Sequence, residues 1–241
     1  MNILINKNRH LGDAVAIINT IHNISLEKNI KFNVYGAYYL KELTDIFDYC
    51  NLKYCGIPDD VFENNSSISE FLFINKTNVP FLSNRHFFID NKIQHKIKKI
   101  EMPKKKIKSC KKNENILFQF DSRTTHENKI KINDEKINRI LSLKHENCNK
   151  FGVGGKDTKP YTNKQFILGN IKEISESLNC CKYFIGIDSG VSHIAGTLEI
   201  NGLVLINHLL EPHCEELKIF YQLYYTSLEI KKISEVFPNE L

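Results

Sequence analysis

Apolar and polar positions along this chain fall into blocks of two different periods. NILI (2–5) is a short apolar run followed by a polar turn, KNRHLG, after which AVAIINTIHNISL (14–26) carries apolar residues three and four positions apart. That spacing predicts an amphipathic helix with Asp13 placed to cap its start. KFNVYG (31–36) predicts a second strand, which makes a strand–helix–strand unit of the size that joins parallel strands. Residues 38–49 predict a further helix, and FLFI (71–74) a short buried strand.

The pattern breaks at 92–113, KIQHKIKKIEMPKKKIKSCKKN, which is Lys-rich, interrupted by Pro103 and at best weakly amphipathic. It predicts a solvated linker, with a patch for a membrane surface or an anionic substrate as the other reading. A second alternating series follows: strand ILFQF (116–120), helix NDEKINRILSL (133–143) capped by Asn133 or Asp134, and strand KFGVGG (150–155). Helix NIKEISESLNCC (170–181), strand YFIGI (183–187), a helix in DSGVSHIAGTL and strand GLVLI (202–206) complete it. Strands and helices alternating with short connections predict a doubly wound parallel sheet. The chain therefore reads as α/β, with two Rossmann-like lobes: residues 1–112, ending in the Lys-rich linker, and residues 113–241.

Composition narrows the partners. The 241 residues are long enough for one large domain or two small ones, and 41% are hydrophobic, enough for a sizeable core. The net charge of +5 is carried by Lys, with Arg only at 9, 85, 123 and 139. Abundant Asn and Ile beside that Lys bias look like the drift of an AT-rich genome, so nucleic acid is not an expected partner. The seven Cys include no C-x-x-C pair, and adjacent Cys180 and Cys181 have neither disulfide-framework nor zinc-ribbon spacing, so reduced thiols in a cytosol are expected. The opening MNILINKNRH does not read as a signal peptide, and no stretch is apolar enough to span a membrane; a cytoplasmic protein is expected.

Three segments carry chemistry. The first is YFIGIDSGVSHIAG (183–196), where a buried-looking strand leaves through Asp188, Ser189 and Gly190 into an apolar helix. Its candidate readings are a plain helix cap, a phosphate cradle or a nucleophile site. G-x-S-x-G is absent, which counts against the nucleophile elbow. The unpaired N–H groups of a helix start, with the helix dipole, favour phosphate. Gly190 permits close approach, Ser189 offers a hydroxyl, and His193 lies one turn in. Asp188 has the wrong charge for phosphate, so its expected work is to cap the helix or accept a bond from a ribose or sugar hydroxyl. The second segment is Leu11-Gly12-Asp13: G-x-G-x-x-G is missing after the first strand, and Asp13 is either a helix cap or a general base for an attacking hydroxyl. The third is QFDSRTTHENKIKIN (119–133), where Ser122, Arg123, Thr124, Thr125, His126 and Lys129 collect anion-binding groups in a polar loop that is otherwise merely solvated.

Together these segments resemble glycosyltransferase family 9, the ADP-heptose:lipopolysaccharide heptosyltransferases. KFGVGGKD and NIKEISESLNCCKYFIGIDSGVSHIAGTL are similar to the family's second-lobe strand, helix and D-S-G-x-x-H signature, and ILINKNRHLGDAVAIINTI to its opening with L-G-D. Lys129 stands at the family's lysine. The resemblance implies a GT-B architecture, with the first lobe reduced and an active site in an interlobe cleft. It also implies an inverting, metal-independent displacement that requires no cofactor. Asp13 would be the base on the acceptor hydroxyl. Lys129, with the helix start at Ser189 and Gly190, would hold the diphosphate, and Ser122, Thr124, Asp188 and His193 would belong to the nucleotide-sugar site. The implied partners are a nucleotide-diphosphate sugar, ADP-heptose by family default, and a glycan or lipid-linked acceptor of bacterial surface-glycan synthesis, reached at the inner face of the plasma membrane. The chain departs from the family in lacking Trp, in reading Lys129-Ile130-Lys131-Ile132 where the family has K-r-W-p, and in carrying GLVLINHLL at the next strand. A non-catalytic nucleotide-sugar-binding relative, or a sugar-nucleotide epimerase, is the alternative reading.

Overall fold

The computed structural model of the protein describes residues 2–5, 11–56, 72–74, 86–89, 93–96, 99–121, 134–142, 147–206 and 213–236. They fall into two compact units, Met1–Ile107 and Lys108–Leu241. Among the described residues no helix is long and apolar enough to cross a membrane.

In unit 1, β1 (Asn2–Ile5), α1 (Leu11–Lys28) and β2 (Phe32–Tyr35) form the predicted parallel unit, in which Ile3 pairs with Val34. After α2 (Tyr39–Ile46) come β3 (Phe47–Asp48), β4 (Leu52–Gly56) and β5 (Leu72–Ile74), and the sheet runs β4-β2-β1-β5, all parallel. β6 (His86–Ile89) and β7 (Ile93–Lys96) make a separate antiparallel pair. Two expectations need correction here. Asp13 is not the cap of α1; it is the third helical residue, because the helix already begins at Leu11. The helix predicted over 38–49 stops at Ile46, where Phe47 turns extended and begins β3.

α1 buries polar side chains among its apolar ones. Asn19, Thr20, His22, Asn23 and Ser25 are all buried, and burying such groups is tolerable only when they are hydrogen-bonded. Asn23 meets that need against the connector: its Oδ1 accepts from Glu101 N–H at 2.7 Å and its Nδ2 donates to Glu101 O at 3.1 Å. Ser25 Oγ lies 2.6 Å from His22 O and 3.0 Å from Cys50 O. The segment expected to be a solvated linker is thus held along its backbone. Lys99 N–H donates to Glu27, β8 (Lys104–Lys105) pairs with β3, and Lys106 N–H donates to Ile46 O at 2.7 Å. The lysines from Lys104 to Lys112 are exposed, while the main chain is held by these bonds.

Unit 2 is built on β9 (Asn115–Gln119), α3 (Asp134–Ser142), β10 (Asn149–Gly155), β11 (Phe166–Gly169), α4 (Ile171–Cys180) and β12 (Tyr183–Ile187). It continues with α5 (Gly190–Thr197), β13 (Gly202–Ile206), α6 (His213–Tyr224), β14 (Leu228–Lys232) and α7 (Ile233–Val236). The six strands are all parallel in the order β11-β10-β9-β12-β13-β14. Ile116, Phe118, Ile185, Leu203 and Leu205 pack one face of the sheet against Ile137, Ile140 and Leu141 of α3. Leu117, Gln119, Phe184 and Gly186 alternate to the other face. α4 starts with a reciprocal capping box: Asn170 Oδ1 accepts from Glu173 N–H and Glu173 Oε2 from Asn170 N–H.

The expectation of reduced thiols is corrected at one pair. Cys110 and Cys180 are disulfide-bonded, with Cα atoms 5.6 Å apart across 70 positions of sequence. They meet because the start of unit 2 lies along the end of α4, where Asn113 N–H donates to Cys180 O and Asn179 Nδ2 to Lys108 O. Cys50, Cys55, Cys148 and Cys181 are thiols, and burial pushes Cys181 up to about 11.

His22 gives unit 1 an acid-sensitive point. Burial lowers its pKa below the ordinary histidine value, offset in part by its bond to the Cys50 carbonyl and by the Glu101 and Asp48 carboxylates. The unfolded chain therefore binds this proton more readily than the native one. Stability contributed by the neutral imidazole is present above about pH 6.5 and is lost as pH falls from there toward the lowered native pKa, at up to about 1.4 kcal/mol per pH unit. Urea unfolding at pH 7.5, 6.0 and 5.0 should show the gap between wild type and His22→Gln narrowing as the pH drops. A gap independent of pH would contradict this.

Candidate functional site

From β9 the chain runs through α3 to β10 on one side, whereas β12 follows on the other side and leads outward to β13 and β14. The order reverses between β9 and β12, and in a doubly wound sheet the crevice at the carboxyl ends of such a pair is where ligands bind. Gln119, Phe120 and Asp121 end one strand there, and Ile187, Asp188 and Ser189 the other.

Ser189 caps α5 in extended conformation, its Oγ accepting from Ser192 N–H at 3.3 Å. Ser192, fully buried, places its own hydroxyl 3.2 Å from Ser189 Oγ and donates to the Ile187 carbonyl, which ties the cap to the strand it leaves. The first main-chain bond of the helix is His193 N–H to Ser189 O at 3.1 Å, so the N–H groups of Gly190 and Val191 lie outside the helical ladder.

One turn in, His193 is buried and forms the centre of a polar cluster. Its Nε2 is 3.4 Å from Asp188 Oδ1, and its Nδ1 is 3.1 Å from Tyr225 Oη. Asp188 Oδ1 also accepts from the Tyr221 hydroxyl at 2.8 Å, while the Asp188 side chain stays 40% exposed. Burial, then the neighbouring Asp188 carboxylate, raises Tyr221 well above the pKa of a free phenol, so its proton stays on and the hydroxyl is a donor. Phe220, Tyr221 and Tyr225 surround the imidazole with ring centroids 4.9–5.7 Å away. α6 reaches this position because Gly196 leaves room: a Cβ there would fall 2.3 Å from Tyr225 Cγ.

Across the switch point, Gln119 is buried, stands in register with Gly186, and among the described residues its Oε1 has no hydrogen-bond partner. Beside it, Phe120 N–H donates to Tyr161 Oη at 2.6 Å, and burial pushes the Tyr161 phenol up to about 12. This carboxyl edge can therefore accept hydrogen bonds through Asp188 and Gln119 and offer N–H donors at the α5 start.

Of the residues expected to form a site, Asp188, Ser189, Gly190 and His193 are brought together. Asp13, partly exposed in the first turn of α1, belongs to the other unit, and Ser122, Thr124 and Lys129 lie outside the described residues. Tyr221, Tyr225 and Gln119 were not anticipated. The signal for the first two was the aromatic run FYQLYY (220–225), which follows GLVLI without any chemistry-bearing motif. Among the described residues no group of three His, Cys, Asp or Glu is placed to hold a metal ion.

By sequence, the chain matches no protein-family model and no curated protein. By structure, it is similar to E. coli heptosyltransferase WaaC with ADP, at a TM-score of 0.57 and 12% identity over 96% of this chain and 93% of that one. It is similar to the glycosyl transferase family 9 protein from Veillonella parvula, at 0.60 and 13% over 100% and 90%. The iron-containing dodecameric glycosyltransferase TibC from enterotoxigenic E. coli matches at 0.53 and 11% over 85% of this chain, which spans 59% of the length of TibC. Likeness at this identity speaks for architecture, and the architecture is that of the GT-B-type heptosyltransferases.

Proposed function

We propose that this chain is a glycosyltransferase that takes a nucleotide-diphosphate sugar in unit 2 and transfers the sugar to a hydroxyl acceptor. The observation that carries this reading is the Asp188–His193–Tyr221 cluster at the start of α5, on the switch point of a sheet whose architecture is shared with an ADP-bound heptosyltransferase. The helix start supplies N–H groups for the diphosphate. Asp188, held by Tyr221 and His193, accepts from a sugar or ribose hydroxyl. Gln119 Oε1, an acceptor without a donor, is supplied with one by the bound ligand. Leaving such a group unsatisfied carries a penalty of about 1–3 kcal/mol, which binding would relieve.

The reaction proposed is a direct displacement that inverts the anomeric centre. Asp13 takes the proton of the acceptor hydroxyl as its oxygen bonds to the anomeric carbon. The bond from that carbon to the diphosphate breaks on the opposite face, and the nucleoside diphosphate leaves with the electron pair. Lys129, Ser122 and Thr124, together with the Ser189–Gly190 helix start, balance its charge, and no metal is called upon. Heptose is the sugar named for the structural neighbours, and a surface glycan is the proposed acceptor, approached from the cytoplasmic side with the 104–112 lysines toward the membrane.

A thermal-shift panel of nucleotide sugars tests the donor, since a ligand that binds only the native state raises the melting point. The donor so found should release nucleoside diphosphate only when acceptor is present; an isomerised sugar would instead indicate an epimerase. Asp13→Asn should lower transfer about 10²–10⁴-fold with the donor-induced shift preserved. Full transfer in that variant would remove Asp13 from the mechanism. Gln119→Leu should leave the melting point of the unliganded protein unchanged or higher, because it replaces an orphaned amide by an apolar group of similar size. The same variant should shrink the donor-induced shift; a lower unliganded melting point with an unaltered shift would make Gln119 purely structural.

A further inference from the structure

We propose that Tyr221 and Tyr225 are positioning residues of the donor site, which orient the His193 ring and keep the Asp188 carboxylate placed as an acceptor. The inference builds on the reading of this edge as a nucleotide-sugar site and adds two residues to it.

The argument begins with cost. Tyr221 and Tyr225 are fully buried on an aromatic helix face where Phe220 already shows that a ring without a hydroxyl packs well. A buried hydroxyl is unfavourable unless it finds a partner, so packing alone would favour Phe at both positions. Both hydroxyls are instead spent on the two polar side chains of the α5 start, Tyr221 on Asp188 Oδ1 and Tyr225 on His193 Nδ1.

The proton count then sets the directions. Asp188 Oδ1 is a pure acceptor, and it faces both Tyr221 Oη and His193 Nε2. An imidazole beside a carboxylate keeps its proton on the nitrogen that faces it, here Nε2. Nδ1 is then the acceptor, and the Tyr225 hydroxyl must donate to it. Tyr225 thus donates to His193 Nδ1 and Tyr221 to Asp188 Oδ1, while the Nε2 side of the imidazole faces that same carboxylate oxygen at 3.4 Å. The exposed part of Asp188 is thereby held for the ligand in one orientation. Asp188 sets the bias toward Nε2–H and the Tyr225 donor reinforces it at Nδ1, so removing Tyr225 lets the Nδ1–H form compete; removing the Tyr221 donor leaves the carboxylate less firmly placed.

Ring ¹⁵N chemical shifts of His193, assigned in the unliganded full-length protein, read the tautomer without any assumption about activity. Wild type should be the Nε2–H form, and Tyr225→Phe should move it toward a mixture. Phe220→Leu, which disturbs the same aromatic cluster without touching a hydroxyl, should leave the tautomer in place. An Nδ1–H wild type, which needs no variant to observe, would overturn the proposal, as would a Phe220→Leu shift as large as that of Tyr225→Phe. With the donor found by thermal shift, Tyr221→Phe should weaken donor binding about tenfold or more, as expected for a lost bond to a charged group. Rescue should be absent in Tyr221→Leu, and unaltered donor binding in Tyr221→Phe would remove Tyr221 from the proposal. If no nucleotide sugar binds wild type, the donor reading fails while the tautomer result still decides the positioning role.

Discussion

One carboxylate oxygen, Asp188 Oδ1, organises the carboxyl edge of the second unit. It accepts from Tyr221 and faces the imidazole of His193, so a strand end, a helix start and a neighbouring helix converge on a single acceptor. Each has to be placed by ordinary packing before the convergence can exist. β12 is held between β9 and β13, Ser192 ties the first turn of α5 to the Ile187 carbonyl, and Gly196 lets the rings of α6 close on α5. A methyl group at Gly196 would press on Tyr225, displacing the hydroxyl that meets His193. The chemistry of the site is in this sense a consequence of how closely two helices approach.

The two sides of the switch point handle buried polarity differently. On the β12 side the polar side chains named have partners within the protein, so their geometry is set before any ligand arrives, while the Gly190 and Val191 N–H groups stay outside the helical ladder. On the β9 side Gln119 Oε1 is left without a partner, although its strand is in the middle of the sheet. A satisfied cluster beside an unsatisfied acceptor is the arrangement expected of a pocket that is shaped in advance yet gains stability on binding.

Much of the fold was legible because strand and helix periods are local. The β1–α1–β2 unit, β12 and the helix start after Asp188-Ser189-Gly190 all announce themselves within a dozen residues. What was not legible depended on distance along the chain. Cys110 and Cys180 are 70 positions apart, and neither has spacing that suggests a bond. Tyr221 and Tyr225 sit in an aromatic run indistinguishable from core until α6 is laid against α5. The start of α1 was placed three residues late, at Ala14 instead of Leu11, because Leu11 and Gly12 gave no sign of joining the helix. β4 and β14 were missed because LKYCG and LEIKK lack the apolar density of the central strands, and β11 because FILG is only four residues long.

The Lys-rich connector shows how composition and structure can part company. Its order comes from the main chain: β8 pairs with β3, Lys106 N–H reaches Ile46 O, Asn179 holds Lys108 O, and Asn113 N–H reaches Cys180 O. Asn23 contributes by treating the Glu101 backbone as a strand would. Bonds of this kind make almost no demand on side-chain identity, so the outward positions of 104–112 were open to any solvated residue, and in this chain that residue is Lys. A linker composition therefore does not imply a linker's freedom.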